Sequence, residues 1–167
     1  MQKISDLSIK AEKAAQTLYG ILSSRGLRLA TAESCTGGLI GKTLTDVPGI
    51  SEVYDGGVIS YANSVKMRVL SVGEATLARY GAVSEQTACE MAVGARMLVG
   101  ADIAVSVTGI AGPGGGTAEK PVGLVYIGVS TENGVYAVKN LFDGTREQVR
   151  LQTCIRALEL AAEELNS

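Results

Sequence analysis

The sequence predicts an α/β fold: a single three-layer α/β/α domain over residues 1–167, with a mixed sheet containing an antiparallel hairpin. Three observations carry this prediction. Segments with apolar residues at helical intervals alternate with short apolar runs of strand length. Glycine is abundant, at 21 residues, while Phe, Trp and Pro are scarce, a balance suited to tight strand–helix junctions. Near the C-terminus two apolar runs flank Glu132-Asn133-Gly134, and Asn-Gly favours a type I′ hairpin turn.

Leu7, Ala11, Ala14, Ala15, Leu18 and Leu22 recur at helical spacing, and Gly26 stands where a glycine ends a helix. A short strand follows to about Ala30. Thr31 to Gly38 then turns into a helix through Thr45, which Val47-Pro48-Gly49 breaks. Tyr54 to Tyr61 reads as a strand, its Gly56-Gly57 pair marking a bulge or a close contact. Asn63 is expected to cap a short helix carrying Ser64, Val65, Lys66 and Met67. Ser84 caps a longer helix, Glu85 to Val99, closed by Gly100. Ile103 to Thr108 carries no charge and is expected to be a central strand. A glycine-rich loop runs from Gly109 to about Pro121, and Val122 to Ser130 pairs with Val135 to Leu141 as the hairpin. Thr145-Arg146-Glu147-Gln148 has the capping-box pattern and starts a helix to about Leu165.

Composition narrows the function. With 46% hydrophobic and 19% charged residues, the chain can bury a substantial core. A net charge of −2 argues against a nucleic-acid binder, which would present a basic face. No segment approaches 18 uninterrupted apolar residues, so neither a signal peptide nor a membrane span is expected. Cys35, Cys89 and Cys154 are odd in number and far apart, which excludes a disulfide framework or a zinc cluster. They read as reduced thiols in a cytoplasmic protein.

The chain has no histidine, so nucleophilic chemistry here needs another base. Thr31-Ala32-Glu33-Ser34-Cys35-Thr36-Gly37-Gly38 places a serine and free backbone N–H groups at a strand-to-helix turn. Ser34 is either a nucleophile or a helix cap. Lys66 is either a base or an ordinary solvated lysine. As a base it must be neutral, which requires burial or nearby positive dipoles. A thiol at Cys35 is a second candidate nucleophile, although it has no histidine partner. Thr36, Gly37 and Gly38 can offer backbone donors to an oxyanion or a phosphate. Tyr61 either lines a pocket or packs in the core. Thr108 ends the central strand, where α/β sheets place ligands. The loop from Gly109, through Gly112, can wrap a nucleotide. Arg146 and Arg150, one helical turn apart, either clamp a phosphate or belong to a solvated face.

Together, Thr31 to Gly38, Gly81-Ala-Val-Ser-Glu85, Thr108-Gly-Ile-Ala-Gly-Pro-Gly-Gly-Gly116 and Glu119-Lys-Pro-Val-Gly123 resemble the C-terminal domain of the competence/damage-inducible CinA family. The resemblance runs from about Leu7 to Leu165. It implies a nicotinamide-nucleotide amidohydrolase, converting nicotinamide mononucleotide to nicotinate mononucleotide and ammonia. The family's serine falls on Ser34 and its lysine on Lys66, and the implied scheme needs no metal or cofactor. It also implies association with further copies of the chain, for which the Gly- and Ala-rich stretch Ala88 to Ala95 offers a packing face. The alternative from a different class is a non-catalytic nucleotide- or phosphate-binding module of the same family.

Overall fold

The computed structural model describes residues 2–167. Five strands form one mixed sheet flanked by helices on both faces. In chain order the elements are α1 (Ile4–Arg25), β1 (Leu29–Glu33), α2 (Leu39–Thr45), β2 (Tyr54–Ile59), α3 (Asn63–Leu70), α4 (Glu74–Tyr80), α5 (Glu85–Val99), β3 (Ile103–Gly109), β4 (Leu124–Thr131), β5 (Gly134–Leu141) and α6 (Arg146–Asn166). The spatial strand order is β2-β1-β3-β4-β5. β1 pairs in parallel with β2 and β3, while β3–β4 and β4–β5 are antiparallel.

The two faces of the sheet differ in side-chain size, and this sets the spacing of the layers. Leu29, Ile103, Val105, Val107 and Ile127 pack against α1, α2 and α6 in the larger core. The opposite face presents Ala30, Ala32 and Ala104, which meet Met91 and Ala95 of α5. Strand alternation sorts the residues in this way. Small residues draw α5 close to the sheet: a Cβ at Gly128 would lie 2.5 Å from the Ala88 carbonyl oxygen. Gly94 brings α3 equally close to α5, since a Cβ there would fall 2.0 Å from the Leu70 carbonyl oxygen. That crossing fixes the helix that carries Lys66.

Ala88, Ala92 and Ala95 are therefore buried against the chain's own sheet. On the other side of the Ala88 to Ala95 stretch, Cys89, Glu90, Val93 and Gly94 are half-buried.

Local chemistry explains the element ends. Gly26, at φ 63°, closes α1 by donating to Leu22 and Ser23. Ser84 accepts from Thr87 N, and Thr145 with Gln148 forms the full capping box. Asn63 does not cap α3. Ala62 holds that position, and Asn63 is the first helical residue. The hairpin turn is also displaced by one residue: Thr131 pairs with Gly134, leaving Glu132 and Asn133 as the loop. Neither has positive φ, so the turn is not type I′. No described helix is long and apolar enough to cross a membrane.

Candidate active site

The carboxyl ends of the parallel strands converge on one cavity of about 290 Å³, close to the roughly 300 Å³ at which small-molecule sites begin. Ser34 arrives from the end of β1, Thr108 and Gly109 from β3, and Lys66 from α3, which follows β2. Such an edge is where open α/β sheets hold ligands.

Ser34 extends the sheet by one residue, its N–H donating to Val107 O at 3.1 Å. Its carbonyl then accepts from Gly37 N at 3.1 Å. Gly37 and Gly38 follow with φ of 59° and 100°, a consecutive left-handed pair that side chains resist. Glu33 finishes the turn. This buried carboxylate accepts from the Thr36 hydroxyl at 2.7 Å, from Gly38 N and Ile40 N at 3.0 Å, and from Gly41 N at 2.8 Å. The donors at the start of α2 are thereby occupied. Among the described residues, the N–H groups left without a protein acceptor in this turn are those of Cys35 and Thr36.

Lys66 is 1% exposed, although it carries an ammonium in its usual state. Its Nζ lies 3.0 Å from Ser34 Oγ, 2.6 Å from the Ser60 carbonyl oxygen and 3.4 Å from that of Tyr61. No carboxylate pairs with it among the described residues. Burial pushes its pKa below the ordinary lysine value, and the nearby Cys35 opposes this only in part. A neutral amine has two N–H groups and one lone pair. Nζ donates to the two carbonyls and to Ser34 Oγ, and only in the neutral amine would its lone pair accept from the Ser34 O–H instead.

Cys35 lines the same cavity, yet burial pushes its thiol up to about 12. At neutral pH it is not a thiolate, and the thiolate is the nucleophilic form.

The remaining wall divides the other candidate residues. Tyr61, Thr108, Gly109, Gly112 and Arg146 line the cavity with Ser34 and Lys66. The Thr108 hydroxyl donates to Ala82 O at 2.7 Å. Arg146 donates to Gly112 O at 2.8 Å and to Tyr61 Oη at 3.2 Å, leaving guanidinium N–H groups for a ligand. Thr36, Gly37, Gly38 and Arg150 do not line it. Arg150 instead donates to Thr36 O at 2.6 Å and braces the turn from behind. Asn63 and Val83 also line it, as do Gly114 and Gly115 from the glycine-rich loop. A larger cavity of about 520 Å³ lies between α3 and α5. Its walls are mainly apolar, and its carboxylate, Glu90, is taken up by Gly73 N and the Thr76 hydroxyl.

Fold and site together define an α/β protein with a cavity at the carboxyl edge of a mixed sheet. The chain belongs to the CinA C-terminal domain family, which its residues 11–165 match. It is 51% identical over 144 residues to the nicotinamide-nucleotide amidohydrolase PncC of Enterobacter agglomerans, covering 86% of this chain and 88% of that protein. It is 49% identical over 142 residues to the CinA-like protein of Geotalea uraniireducens, covering 85% of this chain but 34% of that longer protein. The chain likewise spans 37% of a competence-damage inducible protein of Caldanaerobacter subterraneus. The crystal structure of the competence/damage inducible protein CihA from Agrobacterium tumefaciens superposes with a TM-score of 0.90 at 46% identity, covering 95% of this chain and 96% of that one.

Proposed function

We propose that this chain hydrolyses the carboxamide of nicotinamide mononucleotide to nicotinate mononucleotide and ammonia, with Ser34 as nucleophile and Lys66 as base. The observation that carries this reading is the 3.0 Å contact between Ser34 Oγ and the buried, carboxylate-free Nζ of Lys66. The identity to a nicotinamide-nucleotide amidohydrolase across most of both chains supports the substrate class.

In this scheme Ser34 Oγ attacks the amide carbon as its proton passes to Nζ. The carbonyl oxygen becomes an oxyanion, for which the free N–H of Cys35, a residue of the cavity wall, is an available donor. One such donor is worth roughly a hundred- to a thousandfold in rate. The Lys66 ammonium then protonates the departing nitrogen, which leaves as ammonia, and Ser34 carries an ester. Water, deprotonated by Lys66, cleaves that ester and releases the acid. Arg146 is the cation placed to meet the substrate phosphate, beside the glycine loop from Gly109 to Gly115. Thr108 and Tyr61 complete the pocket.

Ammonia release from nicotinamide mononucleotide by the purified protein tests this reading, and stoichiometric nicotinate mononucleotide is the expected product. Nucleotide binding with no ammonia would overturn it in favour of a binding module.

A further inference from the structure

The hydrolytic scheme leaves one polar group at the site without a task. Ser60 Oγ is the buried side-chain polar atom with no hydrogen-bond partner among the described residues, and Ser60 is 0% exposed. An orphaned buried hydroxyl costs about 1–3 kcal/mol, so its retention needs a reason. The backbone of the same residue ties the two halves of the site together. Its N–H donates to Glu33 O at 2.8 Å, next to the nucleophile, and its carbonyl accepts from Lys66 Nζ at 2.6 Å. Strand alternation continued from Val58, which packs with Ala30 and Leu70, turns the Ser60 side chain toward the α3 layer. Lys66 belongs to that layer.

The proton inventory of Lys66 gives this hydroxyl a use. As a neutral amine, Nζ has two N–H groups, one on the short Ser60 contact and one on the 3.4 Å contact to Tyr61 O. When the Ser34 O–H bond breaks and a third N–H bond forms on Nζ, the new proton must stay aimed at the departing nitrogen. The other two then have to anchor the ammonium, and a 3.4 Å contact anchors poorly.

We propose that Ser60 is a positioning residue for Lys66, its idle hydroxyl rotating to accept a hydrogen bond from the ammonium formed during turnover. This rests on the Ser34–Lys66 reading above. The hydroxyl sits on the same residue whose carbonyl holds Nζ at 2.6 Å, and a serine side chain moves among three staggered positions. None of the charged or titratable groups around Lys66 fills the role. The Cys35 thiol is neutral. The Glu33 carboxylate is turned to the α2 backbone. From α6, Arg146 and Arg150 are donors held by Gly112, Tyr61 and Thr36, and Tyr61 Oη receives Arg146. From α5, Glu90 is committed to Gly73 and Thr76.

The test is Ser60→Ala in the full chain, read in two ways. The Lys66 side chain, labelled at Cε and assigned against Lys66→Met, is titrated by NMR. Turnover of nicotinamide mononucleotide is measured in parallel. Removing a hydroxyl that has no partner leaves thermal stability equal or higher. Lys66 in the variant titrates at lower pH than in the wild type by about half a unit or more, because its ammonium has lost an acceptor. The kcat falls about tenfold or more while KM stays the same. Ser60→Thr, which keeps the hydroxyl, recovers the titration. An unchanged titration overturns the proposal, and so does a shifted titration with wild-type kcat. A shifted titration with no ammonia from either protein would uphold the coupling and sink the hydrolytic reading instead.

Discussion

Glu33 Oε1 accepts the backbone N–H of Gly41 at 2.8 Å, so a carboxylate at the end of β1 caps the helix that begins beyond the nucleophile. With Oε2 on Gly38 and Ile40, and Leu39 N on Thr36 O, the first turn of α2 has its donors filled from within. A helix start after Ser34-Cys35-Thr36-Gly37-Gly38 suggests an anion site, yet here the anion is the protein's own. In the proposed reaction the substrate phosphate is therefore met elsewhere, and Arg146 in the cavity wall is assigned that role.

Glu33→Gln tests that arrangement. The carboxamide puts an N–H₂ where an acceptor of backbone N–H groups is needed. The variant is expected to lose about 2–4 kcal/mol of stability in denaturant titration. Its kcat should fall with little change in KM, because the turn that aims Ser34 has loosened. An unchanged midpoint would show that the four bonds contribute nothing.

The depressed pKa of Lys66 makes a prediction about folding as well as turnover. In the native protein the amine resists protonation, whereas the unfolded chain takes a proton below the ordinary lysine value of about 10.4. Between those two values the unfolded state binds more protons, so stability rises with pH. The difference in unfolding free energy between wild type and Lys66→Met should shift toward the wild type across that window, by up to about 1.4 kcal/mol per pH unit. Chemical denaturation at several pH values from 7 upward measures it, since every other titrating group is common to both proteins. A pH-independent difference would mean that Lys66 is charged when folded.

What the sequence made legible, and what it hid, follows from the range of the interactions. Ser84 and Thr145 announced their helices because a cap is bonded three residues away. Helix α4 gave no signal because none of its residues is buried, leaving no apolar stripe to read. The Asn133-Gly134 pair pointed to the right hairpin but the wrong pair of loop residues, since Gly134 is already paired with Thr131. At the site, Ser34, Lys66 and Arg146 carry chemistry that a sequence displays. Arg150 carries the same chemistry four residues on, yet its guanidinium meets Thr36 O outside the cavity. The pairing of Glu33 with the α2 backbone and of the Ser60 carbonyl with Lys66 Nζ is not legible in the sequence, because only the folded chain creates those contacts.

The two arginines separate by measurement. Arg146→Gln is expected to raise KM for nicotinamide mononucleotide roughly ten- to a hundredfold, the loss of one charge-assisted bond to phosphate. Its effect on the phosphate-free riboside should be much smaller. Arg150→Gln is expected to leave KM unchanged and to cost about 1–2 kcal/mol of stability through loss of its bond to the Thr36 carbonyl. Equal KM effects at both positions would contradict the division of roles.

The pairing of Ser34 with Lys66 is the centre of the account, and the turnover of Ser34→Ala, measured as ammonia released from nicotinamide mononucleotide beside wild type and Cys35→Ala, tests it most directly. Loss of at least about a thousandfold in kcat for Ser34→Ala, with Cys35→Ala close to wild type, is the predicted result. Retained turnover in Ser34→Ala would contradict it.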